Sequence, residues 1–422
     1  MKLSEENKRY IEDWSKLYYD DLVNDILPFW LKNGLDTVNG GFYTCLNRDG
    51  TLMDTTKSVW FQGRAGFVFA YAYNNIEKKP EWLAASKSAI EFLEKYCFDT
   101  DGRMYFEVTG DGISLRKRRY IYSETFATMA MAEYSIASGE RMYAQKALNL
   151  FKLILKYTNT PGLLEPKYLD TLQMRGHALS MILLNIAFRI RKAISDDILD
   201  KQIQQSIDDI EGYCMKPEYK ALLEVVGMDG ELIDTNMGRT INPGHCIETS
   251  WFILEEAKYR HWDPHLIKLA TTILDWSWEW GWDKEFGGII NYRDCKGLPS
   301  QNYDHDMKFW WPQNETIIAT LYAYLATGNE KYLDRHRQIS DWTYKHFPDR
   351  EFGEWYGYLH RDGSVSQPAK GNLFKGPFHI PRMMIVAHRL CNEILEKNLE
   401  IEEKSSSNHH PKADKHSIVS SL

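Results

Sequence analysis

The chain has 422 residues, of which 43% are apolar and 26% charged, and it carries a formal net charge of −8. This length suits one large domain or two ordinary ones, the composition is that of a globular protein, and the acidic balance argues against a nucleic-acid partner. No apolar run approaches the roughly 18 residues that a membrane span needs, the N-terminus MKLSEENKRY lacks a signal core, and the six cysteines form no CxxC pair, so we expect a cytoplasmic protein without membrane association, disulfides or a zinc site.

Five segments share one form, in which an aromatic or β-branched run, an Asp/Gly turn and a second short run follow each other. This alternation around a glycine is typical of β-hairpins. The turn glycines are Gly50, Gly112, Gly230, Gly297 and Gly363. Their spacings are 62, 118, 67 and 66 residues, and the second spacing is close to two periods. We therefore predict six repeated units, one of which has lost its hairpin near residues 160–176.

Long segments with the apolar periodicity of helices alternate with these hairpins. They cover residues 6–31, 59–76, 81–96, 122–137, 141–157, 172–192, 196–213, 245–259, 264–280, 311–326, 330–346 and 378–398. The segment after each hairpin is the more apolar of its pair, which is typical of a buried helix, and the next segment is amphipathic, like a helix with one wet face. Six such pairs predict an all-α fold, an (α/α)6 barrel or six-hairpin toroid with short β-hairpins between the helix pairs.

The chain shows no low-complexity linker that would divide it. We therefore predict one catalytic domain over residues 1–403. The last stretch, residues 404–422, is polar and is expected to be a disordered tail.

Polar side chains lie near the start of each predicted inner helix. They are Gln62 and Arg64, Tyr122 and Glu124, His177, His245 and Glu248, Asn314 and Glu315, and His379 and Arg382. One such pair is more often a structural ion pair than a site, but the inner helices of a toroid present equivalent ends to one mouth. Recurrence at six helix starts therefore favours an active-site pocket of acids and bases.

The histidines and arginine of this set indicate proton chemistry. Imidazole titrates near neutral pH, where a general base works best, and a guanidinium can stabilise the oxyanion of an enolate. The sequence has no HExxH motif, no GxSxG elbow and no glycine-rich phosphate loop, so we predict no metal site. The pattern suits proton transfer at a carbon next to a carbonyl.

Three motifs, NPGHCIETSW, KFWWPQNE and FKGPFHIPR, resemble the matching motifs of the N-acylglucosamine 2-epimerase family, and the resemblance covers roughly residues 20 to 395. It implies an (α/α)6 barrel that interconverts N-acetyl-D-glucosamine and N-acetyl-D-mannosamine, a reaction of amino-sugar and sialic acid metabolism. The implied catalytic residues are His245, His379 and Arg64. The expected substrate-binding residues are Glu248, Glu315, Tyr122, Glu124, Asn314, His177 and Trp311.

The implied mechanism opens the sugar ring, so that the C2 proton becomes acidic next to the C1 aldehyde. One histidine removes this proton, Arg64 stabilises the enolate oxygen, and the other histidine returns a proton on the opposite face. Which histidine serves which face stays open.

The same resemblance implies activation by ATP that is not consumed, and we expect a homodimer whose partner molecule is a small amino sugar. The candidate nucleotide site is the basic run Arg116, Lys117, Arg118 and Arg119, which could hold phosphates. The other interpretation of such a run is a solvated charged loop.

Three other functions remain open from the sequence. An aldose–ketose isomerase of the mannose type could use the same fold and one base. A glycoside hydrolase could use two of Glu124, Glu248 and Glu315 as its carboxylate pair, although the imidazoles would then have no role. A regulatory binding protein would need no opposed histidines and arginine in a pocket.

Overall fold

The computed structural model of the protein describes residues 3–407, and its side chains as far as residue 400. The helices are α1 (Glu5–Asp21), α2 (Leu27–Asn33), α3 (Val59–Asn75), α4 (Pro80–Tyr96), α5 (Tyr122–Ser138), α6 (Arg141–Asn159), α7 (His177–Ala193), α8 (Asp197–Asp209), α9 (Pro243–Tyr259), α10 (Pro264–Gly281), α11 (Trp310–Thr327), α12 (Glu330–His346) and α13 (His379–Ser407). A π-helical turn, Leu22–Ile26, joins α1 to α2, and a second, Ile210–Cys214, follows α8.

The helices form two concentric layers. Helices α3, α5, α7, α9, α11 and α13 pack against one another in this order, and α13 returns to α3, which closes the inner ring. Each is backed by the helix that follows it in the chain, except that α13 is backed by α1. The two ends of the chain therefore form the sixth pair, which is fastened by the Leu3 backbone N–H donating to Asn398 Oδ1 at 2.7 Å. The predicted (α/α)6 barrel is confirmed.

Burial follows the expected contrast between the two layers. Helix α11 is buried almost without interruption from Pro312 to Leu325, whereas α12 buries one face that includes Leu333 and Ile339. Five of the six inner helices begin within two residues of the predicted start. The exception is α7, which was expected from residue 172 but begins at His177 because the residues before it form a strand.

Short strands connect the helix pairs at one end of the barrel. They are β1 (Cys45–Leu46), β2 (Leu52–Asp54), β3 (Lys57–Ser58), β4 (Glu107–Val108), β5 (Ser114–Arg116), β6 (Met174–Gly176), β7 (Met215–Lys216), β8 (Ala221–Leu222), β9 (Val225–Gly227), β10 (Thr240–Ile241), β11 (Arg293–Asp294), β12 (Lys308–Phe309), β13 (Tyr358–Leu359) and β14 (Val365–Gln367). All pairings are antiparallel, and β3 and β12 extend the hairpins β4–β5 and β13–β14 into three-stranded sheets.

Three of the five predicted hairpins are confirmed. Their turns hold Gly50, Gly112 and Gly363 at positive φ, where a side chain would be strained. The predictions around Gly230 and Gly297 were wrong in one respect, because a turn forms at each glycine but no strand follows it. The first arms of these turns pair elsewhere, β9 with β6 and β11 with β10, so both segments tie neighbouring units together.

A buried lysine recurs beside three of these connections. Each ammonium group pairs with one aspartate and donates to at least one backbone carbonyl oxygen of the loop that holds this aspartate. The pairs are Lys57 with Asp36 at 2.7 Å, Lys308 with Asp283 at 2.9 Å and Lys370 with Asp349 at 3.0 Å. These ion pairs fix the loop that precedes an inner helix, and so they fix where that helix begins.

The C-terminal end of the last helix differs slightly from the prediction. Helix α13 continues to Ser407, so residues 404–407, which were expected in the tail, are helical. The rest of the expected tail lies outside the described residues. Within residues 3–407, no helix has the length and apolar character needed to cross a membrane, and the six cysteines are free thiols.

We expect Lys57→Met to destabilise the fold strongly. Burial alone would raise the pKa of Asp36, but hydrogen bonds from Lys57 and from backbone N–H groups lower it to about 2. Without Lys57 this carboxylate is buried without its cation, which should cost about 3 to 5 kcal/mol in the free energy of unfolding at pH 7. Urea unfolding measures this loss, and Lys32→Met, at an exposed position of α2, is the control.

A Lys57→Met protein as stable as the Lys32→Met control would contradict a structural role for this ion pair.

Candidate active site

The first turns of the inner helices surround a cavity of about 530 Å³. Its wall is mainly aromatic, and a few charged and polar side chains project into it. The polar and charged lining residues are Arg64, Tyr122, Asn185, His245, Glu248, Tyr303, Asp304, Tyr358, His379 and Arg382. The predicted convergence of the inner helix starts on one pocket therefore agrees with the structure.

His379, at the start of α13, belongs to a buried cluster of charged groups. Its Nδ1 lies 2.7 Å from Glu315 Oε1, and we assign the proton to Nδ1 as the donor to that carboxylate. Arg382, one turn further along α13, donates from Nη2 to Glu248 Oε1 at 2.7 Å and to Glu315 Oε1 at 2.6 Å. Burial, together with the charge of Arg382, holds the pKa of His379 well below its usual range. His379 is therefore a neutral imidazole at neutral pH, and its Nε2 is free to accept a proton.

His245, on the first turn of α9, has a carboxylate partner outside the inner helices. Its Nδ1 lies 3.0 and 3.1 Å from the two oxygens of Glu224, which stands between β8 and β9. Burial is the largest single influence and disfavours the imidazolium, but the charge of Glu224, its hydrogen bond and the charge of Glu248 together raise the pKa of His245. The two lining imidazoles thus differ, since His245 favours the charged form and His379 the neutral form.

Arg64, on α3, lies between two aromatic rings, 4.2 Å above the centroid of Phe126 and 5.1 Å above that of Phe378. Its Nη1 donates to the carbonyl oxygen of Phe374 at 2.9 Å. Burial lowers the pKa of Arg64 to about 10, while Glu248 opposes this shift, so the guanidinium stays charged at neutral pH. A cation held in an apolar wall interacts strongly with negative charge that develops inside the cavity.

The sequence around His245 explains why this side chain points into the cavity. Asn242 caps α9 by accepting a hydrogen bond from the His245 backbone N–H at 3.1 Å, and Pro243 begins the helix. A Cβ atom at Gly244 would lie 2.5 Å from the indole of Trp311, so glycine permits this close approach. Trp311 then stands between the two imidazoles, with ring centroids 5.1 Å from His245 and 5.9 Å from His379.

Six predicted site residues line the cavity, namely Arg64, Tyr122, His245, Glu248, Trp311 and His379. Glu315 is fully buried behind the wall and reaches the cavity only through His379 and Arg382, while its other oxygen accepts from Trp251 Nε1 at 2.8 Å. Its expected role in binding substrate is therefore corrected to support of the lining residues.

Three other predictions of substrate contact do not agree with the structure. Glu124 turns away from the cavity and pairs with Arg103 at 2.6 Å. Asn314 is buried and donates to the Trp310 carbonyl of its own helix at 2.9 Å. His177 is fully buried, because α7 begins at this residue and its ring turns toward Thr249. A helical period places a residue near the helix start, but it does not decide which side the residue faces.

The basic run at residues 116–119 lies outside the cavity. Arg116 pairs with Glu107, and Lys117 lies 2.8 and 2.7 Å from Asp99 and Asp101. Arg118 packs over Phe106, and Arg119 borders a second cavity of about 770 Å³ that meets the first at Tyr122 and Ala178.

The donor atoms of Glu248, Glu315 and His379 lie within 4.8 Å of one another, close enough to hold a metal ion. Arg382 already donates to both carboxylates of this trio, so a guanidinium supplies the positive charge that a metal would bring. The side chains of this trio are therefore better explained as an ion-paired cluster around Arg382 than as the ligands of a metal ion.

Glu224 is the site residue that the sequence did not reveal. Its signal is a single acid inside the apolar run ALLEVV, a pattern that indicates a buried carboxylate with a partner but not which partner. Arg382 was noted at a helix start, yet nothing in the sequence showed that it joins two carboxylates from other helices.

Comparison with known proteins agrees with this geometry. The family described as N-acylglucosamine 2-epimerase (GlcNAc 2-epimerase) matches residues 41–376. The chain is 34% identical over 387 residues to the N-acylglucosamine 2-epimerase of Bos taurus, covering 89% of this chain and 90% of that protein. Among solved structures, cellobiose 2-epimerase from Bacillus thermoamylovorans B4167 has a TM-score of 0.79 at 23% identity, over 90% of this chain and 99% of that chain. A D-mannose isomerase has a TM-score of 0.74 at 18% identity, over 91% and 98%, and these two likenesses concern the fold alone.

We expect Arg382→Met to destabilise the protein in a pH-dependent way. Burial already raises the pKa of Glu315, and removal of the cation should raise it further above its unfolded value. The penalty, about 3 to 5 kcal/mol at pH 8, is present above that raised pKa and declines as the pH falls through it and the carboxylates take up protons. Urea unfolding of variant and wild type at pH 8 and pH 5 measures the difference.

Lys296→Met removes a partly exposed ion pair with Asp234 and serves as the control, for which we expect a smaller change that is similar at both pH values. A pH-independent loss in Arg382→Met would mean that the lost packing, and not the two carboxylates, causes the effect.

Proposed function

The chain belongs to the N-acylglucosamine 2-epimerase family, and we propose that it interconverts N-acetyl-D-glucosamine and N-acetyl-D-mannosamine by proton transfer at C2 of the open-chain sugar. The observation that best supports this proposal is that two imidazoles line one cavity, each with Nδ1 hydrogen-bonded to a carboxylate. Each therefore presents Nε2 to the substrate space. Inversion at carbon needs two such groups, one on each face of the sugar.

The protonation states of the two histidines suit one turnover. Neutral His379 is the base that removes the C2 proton, and charged His245 is the acid that delivers a proton to the opposite face. After the reaction the charges are exchanged, which is the starting state for the reverse direction. The structure thus favours His379 as the first base for the epimer that binds the resting enzyme.

Arg64 supplies the charge that the intermediate needs. Loss of the C2 proton places negative charge on the C1 oxygen, and a preorganised guanidinium in an aromatic wall stabilises such charge without reorganisation. Glu248, anchored by Arg382, lines the same cavity and is placed to accept hydrogen bonds from sugar hydroxyls. Trp311 offers an aromatic face beside both imidazoles.

An aldose–ketose isomerase is the second candidate, because the fold also resembles a D-mannose isomerase. That reaction moves hydrogen between C2 and C1 and needs one base. The second imidazole, held as firmly as the first, favours epimerisation. An N-acetyl group at C2 also disfavours a ketose, since C2 would have to become an imine.

ATP activation and the homodimer belong to the same proposal. Arg116 and Lys117 are engaged with neighbouring carboxylates, so we place the nucleotide phosphates near Arg119, where the second cavity also presents Lys167 and Arg175. Assays with and without ATP test this placement, and sedimentation equilibrium tests the dimer.

Incubation with N-acetyl-D-mannosamine in D₂O to equilibrium should form N-acetyl-D-glucosamine. Both epimers in the mixture should then carry deuterium at C2. C1 should carry none, because the aldehyde hydrogen is never acidic in this reaction. Proton NMR of the recovered sugars measures both positions. Formation of a ketose would favour the isomerase, and absence of deuterium at C2 would contradict proton transfer that exchanges with solvent.

His379→Ala and His245→Ala should each lower turnover by on the order of 10² to 10⁴. Arg64→Lys should also be severely impaired, because lysine keeps the charge but loses the planar guanidinium. Initial rates with N-acetyl-D-mannosamine measure the losses, and circular dichroism checks the fold. His265→Ala, at an exposed histidine of α10, should turn over normally. Normal turnover in either catalytic histidine variant would refute the two-base mechanism.

A further inference from the structure

Glu224 connects two inner helices through their histidines. Its carboxylate faces His245 of α9 at 3.0 Å and His177 of α7, whose Nδ1 lies 3.6 Å from Oε1. Glu224 is largely buried, with 16% of its side chain exposed, and it does not line the catalytic cavity. Of the two imidazoles that line the cavity, it is hydrogen-bonded to His245.

The backbone of Glu224 is fixed on both sides. Its carbonyl oxygen accepts from the His177 backbone N–H at 3.0 Å, and its own N–H donates to the Thr240 carbonyl at 3.1 Å. The flanking strands β8 and β9 pair with β7 and β6. The carboxylate thus belongs to a segment that is bonded to the start of α7, to the strand before α9 and to two strand pairs.

His177 contacts the same segment on the side away from the cavity. Its Nε2 lies 2.8 Å from Thr249 Oγ1, and Thr249 follows His245 by one turn of α9. The ring has no exposed surface, so it contacts Glu224 and α9 and not the cavity. Both ends of this imidazole are directed to groups that determine the position of His245.

We propose that Glu224 is a positioning residue of the epimerisation, which holds His245 with Nε2 toward the cavity, and that His177 supports Glu224 instead of contacting the sugar. This inference rests on the proposed function for its chemistry, but its geometry is independent of substrate identity.

The groups around both partners agree with this role. His245 faces Glu224 from the β8–β9 segment, Glu248 from its own helix, Trp311 of α11 and His379 of α13. Glu224 faces the two histidines, Tyr122 of α5 and Tyr292 of the loop between α10 and β11. The two imidazoles, with His245 first, outweigh burial and lower the pKa of Glu224, so this carboxylate stays charged.

The pH profile reports this arrangement in both directions of the reaction. In either productive form of the enzyme, one of the two lining imidazoles is protonated on both nitrogens and the other is neutral, and the charged one is His245 in one direction and His379 in the other. The alkaline limb of kcat/KM therefore follows loss of the proton that makes one of the two rings an imidazolium, which in the proposed resting enzyme is His245.

The test compares Glu224→Gln with Glu224→Asp and with Glu218→Gln, which changes an exposed acid six residues earlier. In Glu224→Gln we expect kcat to fall on the order of 10- to 10²-fold, KM to change little, and the alkaline limb to move about 1 to 3 pH units lower. Glu224→Asp should recover part of the rate and most of the limb, and Glu218→Gln should match wild type.

Nitrogen NMR of histidine-labelled protein, with His245 assigned by comparison with His245→Ala, measures the same effect without substrate. The His245 titration should move to lower pH in Glu224→Gln. An unchanged titration would overturn the role of Glu224 even if the enzyme is active, whereas a shifted titration in a protein that epimerises no amino sugar would overturn only the proposed function. His177→Asn should lower kcat at near-constant KM, and a large rise in KM would instead place His177 on the sugar.

Discussion

The guanidinium of Arg382 holds the catalytic end of the barrel together. One nitrogen, Nη2, donates to carboxylates from two other inner helices, Glu248 of α9 and Glu315 of α11, and lies 3.3 Å from His379 Nδ1. Two carboxylates this close cannot both stay ionised in a buried site without a cation between them. Burial first, and then the charge of Arg382, lower the pKa of His379, so the cation that lets the two carboxylates stay charged also favours the neutral form of the proposed base.

The opposite end of the inner ring shows charged groups that have no such chemistry. Each inner helix places at least one polar or charged residue ten to twelve positions after its first residue, and the set includes Tyr71, Glu133, Arg189, Glu255, Tyr322 and Arg389. They interact with one another, as in the buried pair of Arg189 with Glu255 and the bond from Arg389 to the Tyr71 hydroxyl at 3.2 Å. None of them borders the catalytic cavity. Buried charge alone therefore does not identify the site. The site is identified by imidazoles, those of His245 and His379, that line a cavity while their Nδ1 atoms are bonded to carboxylates.

The sequence was sufficient for features that depend on period and spacing. The alternation of apolar and amphipathic helices predicts two layers, and polar residues at helix starts predict a common mouth. The sequence was insufficient where the role of a residue depends on the direction of its side chain or on partners that are distant in the chain. Glu124 and Glu248 both lie in the first two turns of their helices, α5 and α9, yet Glu124 faces Arg103 outside the ring while Glu248 faces the cavity. Glu224 lies between strands whose pairing with β6 and β7 becomes apparent only in three dimensions.

The repeat explains how equivalent units carry different chemistry. In α3 and α11, the fourth residue of each helix is a buried glutamine, Gln62 or Gln313, which bonds to both the N–H and the carbonyl of one residue in the preceding loop at 2.7 to 2.8 Å. These two glutamines hold their helix starts in the same way. Two residues later the helices differ, with Arg64 in one and Glu315 in the other. Because the fixed bond sets the geometry, the position two residues later is free to hold the cation that we propose for the enolate in one unit and the partner of the proposed base in another. An asymmetric site thus arises in a symmetric ring without any change of fold.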